Sequence, residues 1–308
     1  MKKLRKLLGL VLIFLTSCSL PGIGMDTNND VIVATGSTTE RQILGNIVAQ
    51  MIRHYTDLNV GIISNLGSTT LINVAMIKGD LNVSGGMYTG TSLTGELGMK
   101  PIKDPEKALK TVQVEYLKRY NRKWYPSFGF ANTYAFMVKK DLAQKYDLKK
   151  VSDLEKIKDQ IKVGVDTGWI NRPGDGYKGF QEIYGFSFNK LYPMEISLVY
   201  TALAENEMDV VLGYSTDGRI NTYGLILLED DKRLFPPYDC SPVATIKILE
   251  KHKELDRILL KLENSIDSET MQKLNRISDE DLVEPETLAK KFLEEHNYFE
   301  EDKKWKIF

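Results

Sequence analysis

Short β-branched segments alternate with amphipathic segments in this chain, and that alternation most strongly limits the folds open to it. Residues 31–35 have the composition of a buried parallel strand, and apolar residues recur at helical spacing over 43–52. A strand at 60–64, a helix at 70–77 and a strand at 81–84 follow. Because strands that alternate with helices form parallel sheets covered on both faces, we predict an α/β fold.

The same order of elements returns after residue 160. Residues 162–166 and 209–213 are predicted strands, and residues 177–184 are a predicted helix. Both halves end in a strand followed by a tyrosine, Tyr88 in the first and Tyr214 in the second. Ligands of such folds bind outside the carboxyl ends of the strands. We therefore predict two α/β lobes whose tyrosines face a shared cleft.

The N-terminal residues predict export and lipid attachment. A basic segment precedes the apolar residues 7–15, which are too few for a permanent membrane span but suit a secretory signal. The sequence Leu-Thr-Ser-Cys18 resembles a bacterial lipobox, although an ordinary signal peptide with a chance cysteine is the alternative. We predict a signal peptide at 1–17 and a lipid anchor with a flexible tether at 18–29. The protein is then held at the extracellular face of the cell membrane.

Charge and motif content exclude several classes of function. Lys and Arg total 41 against 42 Asp and Glu, which argues against a nucleic-acid partner. His54, His252 and His296 lie far apart, and nucleotide-binding, zinc-protease and serine-hydrolase motifs are missing from the sequence. We therefore expect no metal, no cofactor and no enzymatic activity. Cys240 has no partner cysteine in the mature chain, so a small buried apolar role is expected.

Tyrosine is the residue type that stands out, with 15 Tyr against 11 Phe and 3 Trp. Four of them stand at predicted strand ends or in turns: Tyr88, Tyr134, Tyr214 and Tyr238. Each alone is most simply a half-buried rim residue. Together they can form a box of aromatic faces, which is how proteins hold a quaternary ammonium ion.

With these residues assembled, the chain resembles the osmoprotectant-binding lipoproteins of ABC importers, receptors for glycine betaine, carnitine and choline-type solutes in Gram-positive bacteria. The resemblance is carried by five segments, 88–95, 129–136, 174–180, 214–219 and 235–242. It implies a type II periplasmic-binding-protein fold, in which two lobes close on a ligand in the inter-lobe cleft about a two-stranded hinge. The implied lobe boundaries are 30–127 with 233–308 for the first lobe, and 128–232 for the second.

The resemblance also implies how the ligand is held. The aromatic box matches Tyr88 and Tyr238 on the first lobe and Tyr134 and Tyr214 on the second. The implied partners are a small quaternary ammonium ligand and the permease and ATPase subunits of an importer, with the receptor itself a monomer.

Two further positions match residues at the polar end of the ligand. Thr91 matches a hydroxyl-bearing position where an acidic residue goes with choline preference, so Thr91 indicates carboxylate-bearing betaines. Arg172 matches an arginine that pairs with the betaine carboxylate in some relatives, and a surface arginine beside Pro173 is the alternative.

The chain departs from the family pattern at 36–38, where many relatives carry Gln or Lys against the ligand head. Ser37 and Glu40 stand at capping-box spacing, which predicts a helix beginning after Ser37. Backbone N–H groups at that helix start could replace the missing side chain, because helix N-termini bind anions.

Two other functions stay open. An amino-acid receptor of the same fold needs an acidic residue facing the ligand ammonium, and the tyrosine-rich set offers none. A surface-anchored hydrolase needs a nucleophile activated by a histidine, and none of the three histidines lies near a predicted cleft loop. The leading prediction is a non-enzymatic receptor that captures a quaternary ammonium solute and delivers it to a permease.

Overall fold

The computed structural model describes residues 29–172 and 174–300. The predicted signal peptide, Cys18 and nearly all of the predicted tether therefore lie outside the described residues. Within the described part of the chain, no helix combines the length and the apolar character needed to cross a membrane.

In chain order the described strands are β1 (Val31–Gly36), β2 (Val60–Leu66), β3 (Val83–Tyr88), β4 (Arg122–Trp124), β5 (Tyr134–Val138), β6 (Lys162–Asp166), β7 (Lys190–Met194), β8 (Val210–Tyr214), β9 (Ile226–Leu227) and β10 (Cys240–Thr245). They form two five-stranded sheets, with orders β2-β1-β3-β10-β4 and β7-β6-β8-β5-β9. The strands predicted at 31–35 and 162–166 are confirmed.

Both sheets are mixed. The prediction of parallel sheets is therefore wrong at strands β5 and β10. Strand β5 runs antiparallel to β8 and β9, and β10 runs antiparallel to β3 and β4. Both strands are entered by a segment that arrives from the other sheet, not by a covering helix. A parallel neighbour needs a crossover connection, usually a helix, whereas an antiparallel neighbour does not. A strand that enters the sheet from the other unit can therefore pair antiparallel to its neighbours.

Helices cover both sheets. They are α1 (Thr39–Tyr55), α2 (Thr69–Lys78), α3 (Thr89–Thr94), α4 (Pro105–Tyr120), α5 (Lys140–Tyr146), α6 (Thr167–Ile170), α7 (Tyr177–Tyr184), α8 (Ile196–Ala204), α9 (Gly218–Thr222), α10 (Ile246–Lys251), α11 (Glu254–Leu260), α12 (Ser268–Asp279) and α13 (Pro285–Glu295), with a 3-10 helix at Val151–Ile157. The helix predicted at 177–184 is confirmed at both ends.

Each sheet has its own buried core. Ile47 of α1 packs in one cluster with Leu255, Met271 and Phe292 of the C-terminal helices, so the end of the chain returns to the first sheet. Phe136, Trp169 and Phe180 lie in a separate, aromatic-rich cluster around the second sheet. The predicted two-lobed α/β architecture is confirmed.

The chain passes between the sheets twice, at 125–133 and 228–239, and the two crossings touch each other. Ala131 and Asp239 form an isolated antiparallel bridge, and the Asn132 N–H donates to the Tyr238 carbonyl at 3.2 Å. These paired crossings lie between the units that carry the predicted site.

Helix α1 packs directly on the backbone of β3. A Cβ atom added to Gly85 would lie only 2.3 Å from Cα of Gly45, so neither position has room for a larger residue. This close approach fixes the first turn of α1 beside the carboxyl end of β3, where Tyr88 is the last residue.

Candidate functional site

Tyr134 and Tyr214 are paired neighbours on adjacent strands of the second sheet. Antiparallel pairing places Tyr134, the first residue of β5, opposite Tyr214, the last residue of β8, and their ring centroids are 5.1 Å apart. The Tyr134 hydroxyl donates to Oδ2 of Asp166 at 2.5 Å. Burial and this hydrogen bond raise the pKa of Tyr134. Tyr134 is therefore a fixed, protonated ring, while Tyr214 is 39% exposed.

Tyr88 and Tyr238 lie together beside the first sheet. Tyr88 ends β3 opposite Cys240, the first residue of β10, and Tyr238 stands two residues before that cysteine. A Cβ added to Gly90 would lie 2.9 Å from Cε1 of Tyr238, so this ring packs on the turn that follows β3. The Tyr88 hydroxyl donates to Glu40 at 2.5 Å, and burial together with Glu40 raises the pKa of Tyr88.

Arg172 connects the two pairs of tyrosines. Its Cζ atom lies 5.3 Å from the ring centroid of Tyr134, and its Nη2 donates to the Tyr238 hydroxyl at 2.7 Å. Nε and Nη2 also bind the two carboxylate oxygens of Asp175 at 3.1 and 2.9 Å. Burial opposes the charged form, but Tyr238 and Asp175 raise the pKa of Arg172 above its ordinary value. Arg172 is thus not an isolated surface arginine.

Thr91 is half-buried in the first turn of α3, three residues after Tyr88. Its carbonyl accepts the Gly95 N–H at 2.8 Å. Of the six predicted binding residues, Tyr134, Tyr214, Arg172 and Tyr238 form a chain of direct contacts. Tyr88 and Thr91 flank Gly90 in the sequence, and the Tyr238 ring packs against Gly90. The ligand roles of all six stay predictions.

The predicted capping box is wrong, and Glu40 has another role. Helix α1 begins at Thr39 after Thr38, which makes no side-chain capping bond. Glu40 is only 4% exposed, and it accepts hydrogen bonds from Tyr88, from Asn132 at 3.0 Å and from Asn275 at 3.4 Å. A buried hydroxyl needs an acceptor, so the carboxylate turns inward instead of capping the helix.

The structure adds two acidic residues that contact the tyrosines through their hydroxyl groups. Glu40 and Asp166 are buried and each accepts a tyrosine hydroxyl. Both follow or end a strand at its carboxyl end, a position that could have marked them in the sequence. Because their oxygens are engaged by hydroxyl groups, they add negative charge behind two of the rings, which strengthens attraction for a cation.

Helix α12 makes a third connection between the sheets. Met271 and Leu274 of α12 belong to the first core. On its other side Gln272 donates to the Ser215 carbonyl at 2.7 Å, and Asn275 donates to the Thr216 carbonyl at 2.8 Å. The loop after β8 is therefore held against a helix of the first unit.

Two α/β units, each with its own sheet and joined by paired crossings, have the architecture of a bilobal solute-binding protein. Residues 29–295 match the substrate-binding domain of the ABC-type glycine betaine transport system, and the chain belongs to this family. The predicted resemblance is confirmed.

Individual relatives cover nearly the whole chain. The carnitine transport binding protein OpuCC of Listeria monocytogenes is 50% identical over 288 residues, 94% of each chain. A glycine-betaine-binding protein of Pseudomonas aeruginosa is 30% identical over 274 residues, 85% of this chain and 86% of that one. The crystal structure of a glycine betaine/carnitine/choline ABC transporter matches with a TM-score of 0.85 at 46% identity, over 88% of this chain and 100% of that chain.

Proposed function

We propose that this protein binds a quaternary ammonium solute of the glycine betaine, carnitine or choline type outside the cell and delivers it to an ABC permease. The observation that carries the proposal is the chain of contacts from Tyr214 through Tyr134 and Arg172 to Tyr238, with Tyr88 at the end of the strand that pairs beside Tyr238. A quaternary ammonium ion has no N–H to donate, so aromatic faces are the groups that can select it. The carnitine and glycine betaine receptors among its relatives support the same ligand class.

Calorimetric titration of the purified protein tests this proposal. Glycine betaine, carnitine and choline should bind, whereas glycine, which keeps the carboxylate but carries N–H groups, should bind far more weakly. Tight binding of glycine would instead support an amino-acid receptor and contradict the proposal. No catalytic step enters the proposed function.

The ligand is proposed to bind between lobes formed by 30–127 with 233–308 and by 128–232. The paired crossings then act as the hinge. Tyr88 and Tyr238 approach the ligand from the first lobe, Tyr134 and Tyr214 from the second. A complete box exists only in the closed arrangement, so binding energy stabilises closure.

Thr91→Asp should shift ligand preference toward choline. The new carboxylate repels the carboxylate of a betaine but can accept a hydrogen bond from the choline hydroxyl. The ratio of choline to glycine betaine affinity, measured calorimetrically, should rise. Thr94→Asp is the matched control, because it adds the same charge to an exposed position of the same helix. An unchanged ratio in Thr91→Asp would remove Thr91 from the site.

We also propose that lipid on Cys18 anchors the receptor as a monomer at the outer face of the membrane, beside the permease and its ATPase. Two acyl chains are what stable anchoring requires. Cys18→Ala should move the protein from the membrane fraction to the medium or leave it unprocessed, as seen by cell fractionation and immunoblotting. A mutant that is processed and stays membrane-bound as before would contradict the lipid anchor.

A further inference from the structure

Arg41 is buried with part of its guanidinium unpartnered. The residue is only 7% exposed, and neither Nε nor Nη2 has a hydrogen-bond acceptor among the described residues. Buried arginines are ordinarily paired, because an unpaired charge removed from water is costly. The adjacent Glu40 is already engaged by Tyr88 and Asn132.

Arg41 lies on the face of α1 that packs against the first sheet, at the carboxyl ends of strands β1 and β3. One turn further along α1, Gly45 packs on Thr35, with 2.4 Å between an added Cβ and Thr35 Cγ2, and also on Gly85. Residues four apart share a helix face, so Arg41 lies just beyond the carboxyl ends of β1 and β3. A Cβ on Gly36, the last residue of β1, would lie 2.2 Å from Arg41 Cζ. The guanidinium therefore lies across the end of β1, and Tyr88 ends the neighbouring strand.

The two unpartnered nitrogens form one edge of the guanidinium, the edge that binds a carboxylate through two parallel hydrogen bonds. The same chain shows that arrangement elsewhere, where Nε and Nη2 of Arg172 bind both oxygens of Asp175. Arg172 has thus already used this edge, whereas Arg41 has not.

We propose that Arg41 receives the carboxylate of a betaine ligand while the quaternary ammonium group rests among the tyrosines. The inference depends on the proposed function and refines it. It assigns the anionic end of the ligand to the end of the first sheet, beside Gly36. The N–H groups at the start of α1 are then not needed as the anion site.

The test compares ligands with and without a carboxylate. In Arg41→Leu, glycine betaine affinity should fall at least tenfold, equivalent to about 1.4 kcal/mol or more. Choline affinity should stay within roughly threefold, because choline has no carboxylate to lose a partner. Arg41→Lys should recover part of the betaine affinity, since it restores the charge without the two-pronged edge. Gly36→Ala should also weaken betaine selectively, because the new methyl group displaces the guanidinium.

A second readout separates ligand binding from a structural role. Removing an unpaired buried charge should leave the ligand-free melting temperature unchanged or higher, while the rise in melting temperature on adding glycine betaine shrinks. Arg53→Leu is the control on the same helix, since Arg53 bonds the Val60 carbonyl and pairs with Glu286 at 3.5 Å. It should not change the betaine-to-choline ratio.

Equal loss of betaine and choline affinity in Arg41→Leu, or a lower melting temperature with unchanged binding, would overturn the assignment of Arg41 alone. Wild-type protein that binds no member of the panel would overturn the proposed function, and this inference with it.

Discussion

Tyr214→Ala should weaken glycine betaine binding more than tenfold, whereas Tyr214→Phe should keep most of the affinity. A desolvated cation over an aromatic face gains about 2 kcal/mol or more, and about 1.4 kcal/mol corresponds to one decade in affinity. The Tyr214 ring lies beside the Tyr134 ring and is the most exposed of the four tyrosines, so its face is the most accessible to a ligand. Calorimetric titration of both variants measures the difference.

Tyr223→Ala is a suitable control for this effect. Tyr223 is 38% exposed, almost the same as Tyr214, but it stands at the C-terminal end of α9 and lines a separate surface depression with Asp279 and Glu280. Its removal should leave betaine affinity unchanged. If Tyr214→Phe loses as much affinity as Tyr214→Ala, the hydroxyl and not the ring face carries the interaction.

Gly85→Ala should lower the free energy of unfolding by about 3 kcal/mol, at the upper end of what overpacking usually costs. The added methyl group would meet backbone atoms of Gly45 at 2.3 and 2.7 Å, and backbone cannot move aside as a side chain can. Helix α1 must then shift on β3. Urea unfolding measures the loss, and because α1 carries Glu40 and Arg41, betaine binding should weaken as well.

Gly67→Ala is the matched control for this substitution. An added Cβ at Gly67 has no neighbour within 4 Å, and its backbone is outside the left-handed region. Alanine there should stabilise slightly, by about 0.4–1 kcal/mol, through the unfolded chain. Equal stability of Gly85→Ala and wild type would mean that α1 and β3 are not in backbone contact.

The repeated strands and helices could be predicted because their periodicity is local. Strand β6 and helix α7 were predicted with the bounds that the structure has. The direction of β5 and β10 could not be predicted, because it depends on where the chain re-enters each sheet. Helix α4 carried a readable signal that went unused: Asp104 caps it through the Lys107 N–H at 2.8 Å, and Pro105 follows.

Residue type alone singled out four tyrosines near strand ends, and from them the sequence predicts an aromatic cleft. The structure links Tyr134, Tyr214 and Tyr238 through Arg172, and the ligand roles stay predictions. Glu40 and Arg41 were missed because local spacing favoured a helix cap, whereas tertiary burial decides where each side chain goes. The ion pair of Arg172 with Asp175 lies in the loop between α6 and α7, where helical spacing gives no guide to which side chains meet.

Helix α12 bears on how long a ligand stays bound. Its core residues tie it to the first unit, while Gln272 and Asn275 hold the loop after β8. In the proposed hinge motion, opening about the paired crossings would break these two bonds or pull α12 from its core. A hydrogen bond contributes about 0.5–1.5 kcal/mol, and about 1.4 kcal/mol on a barrier slows a step tenfold. In the proposed receptor, the residence time of the solute, and so the rate at which it is handed to the permease, would then depend partly on a helix outside the aromatic box.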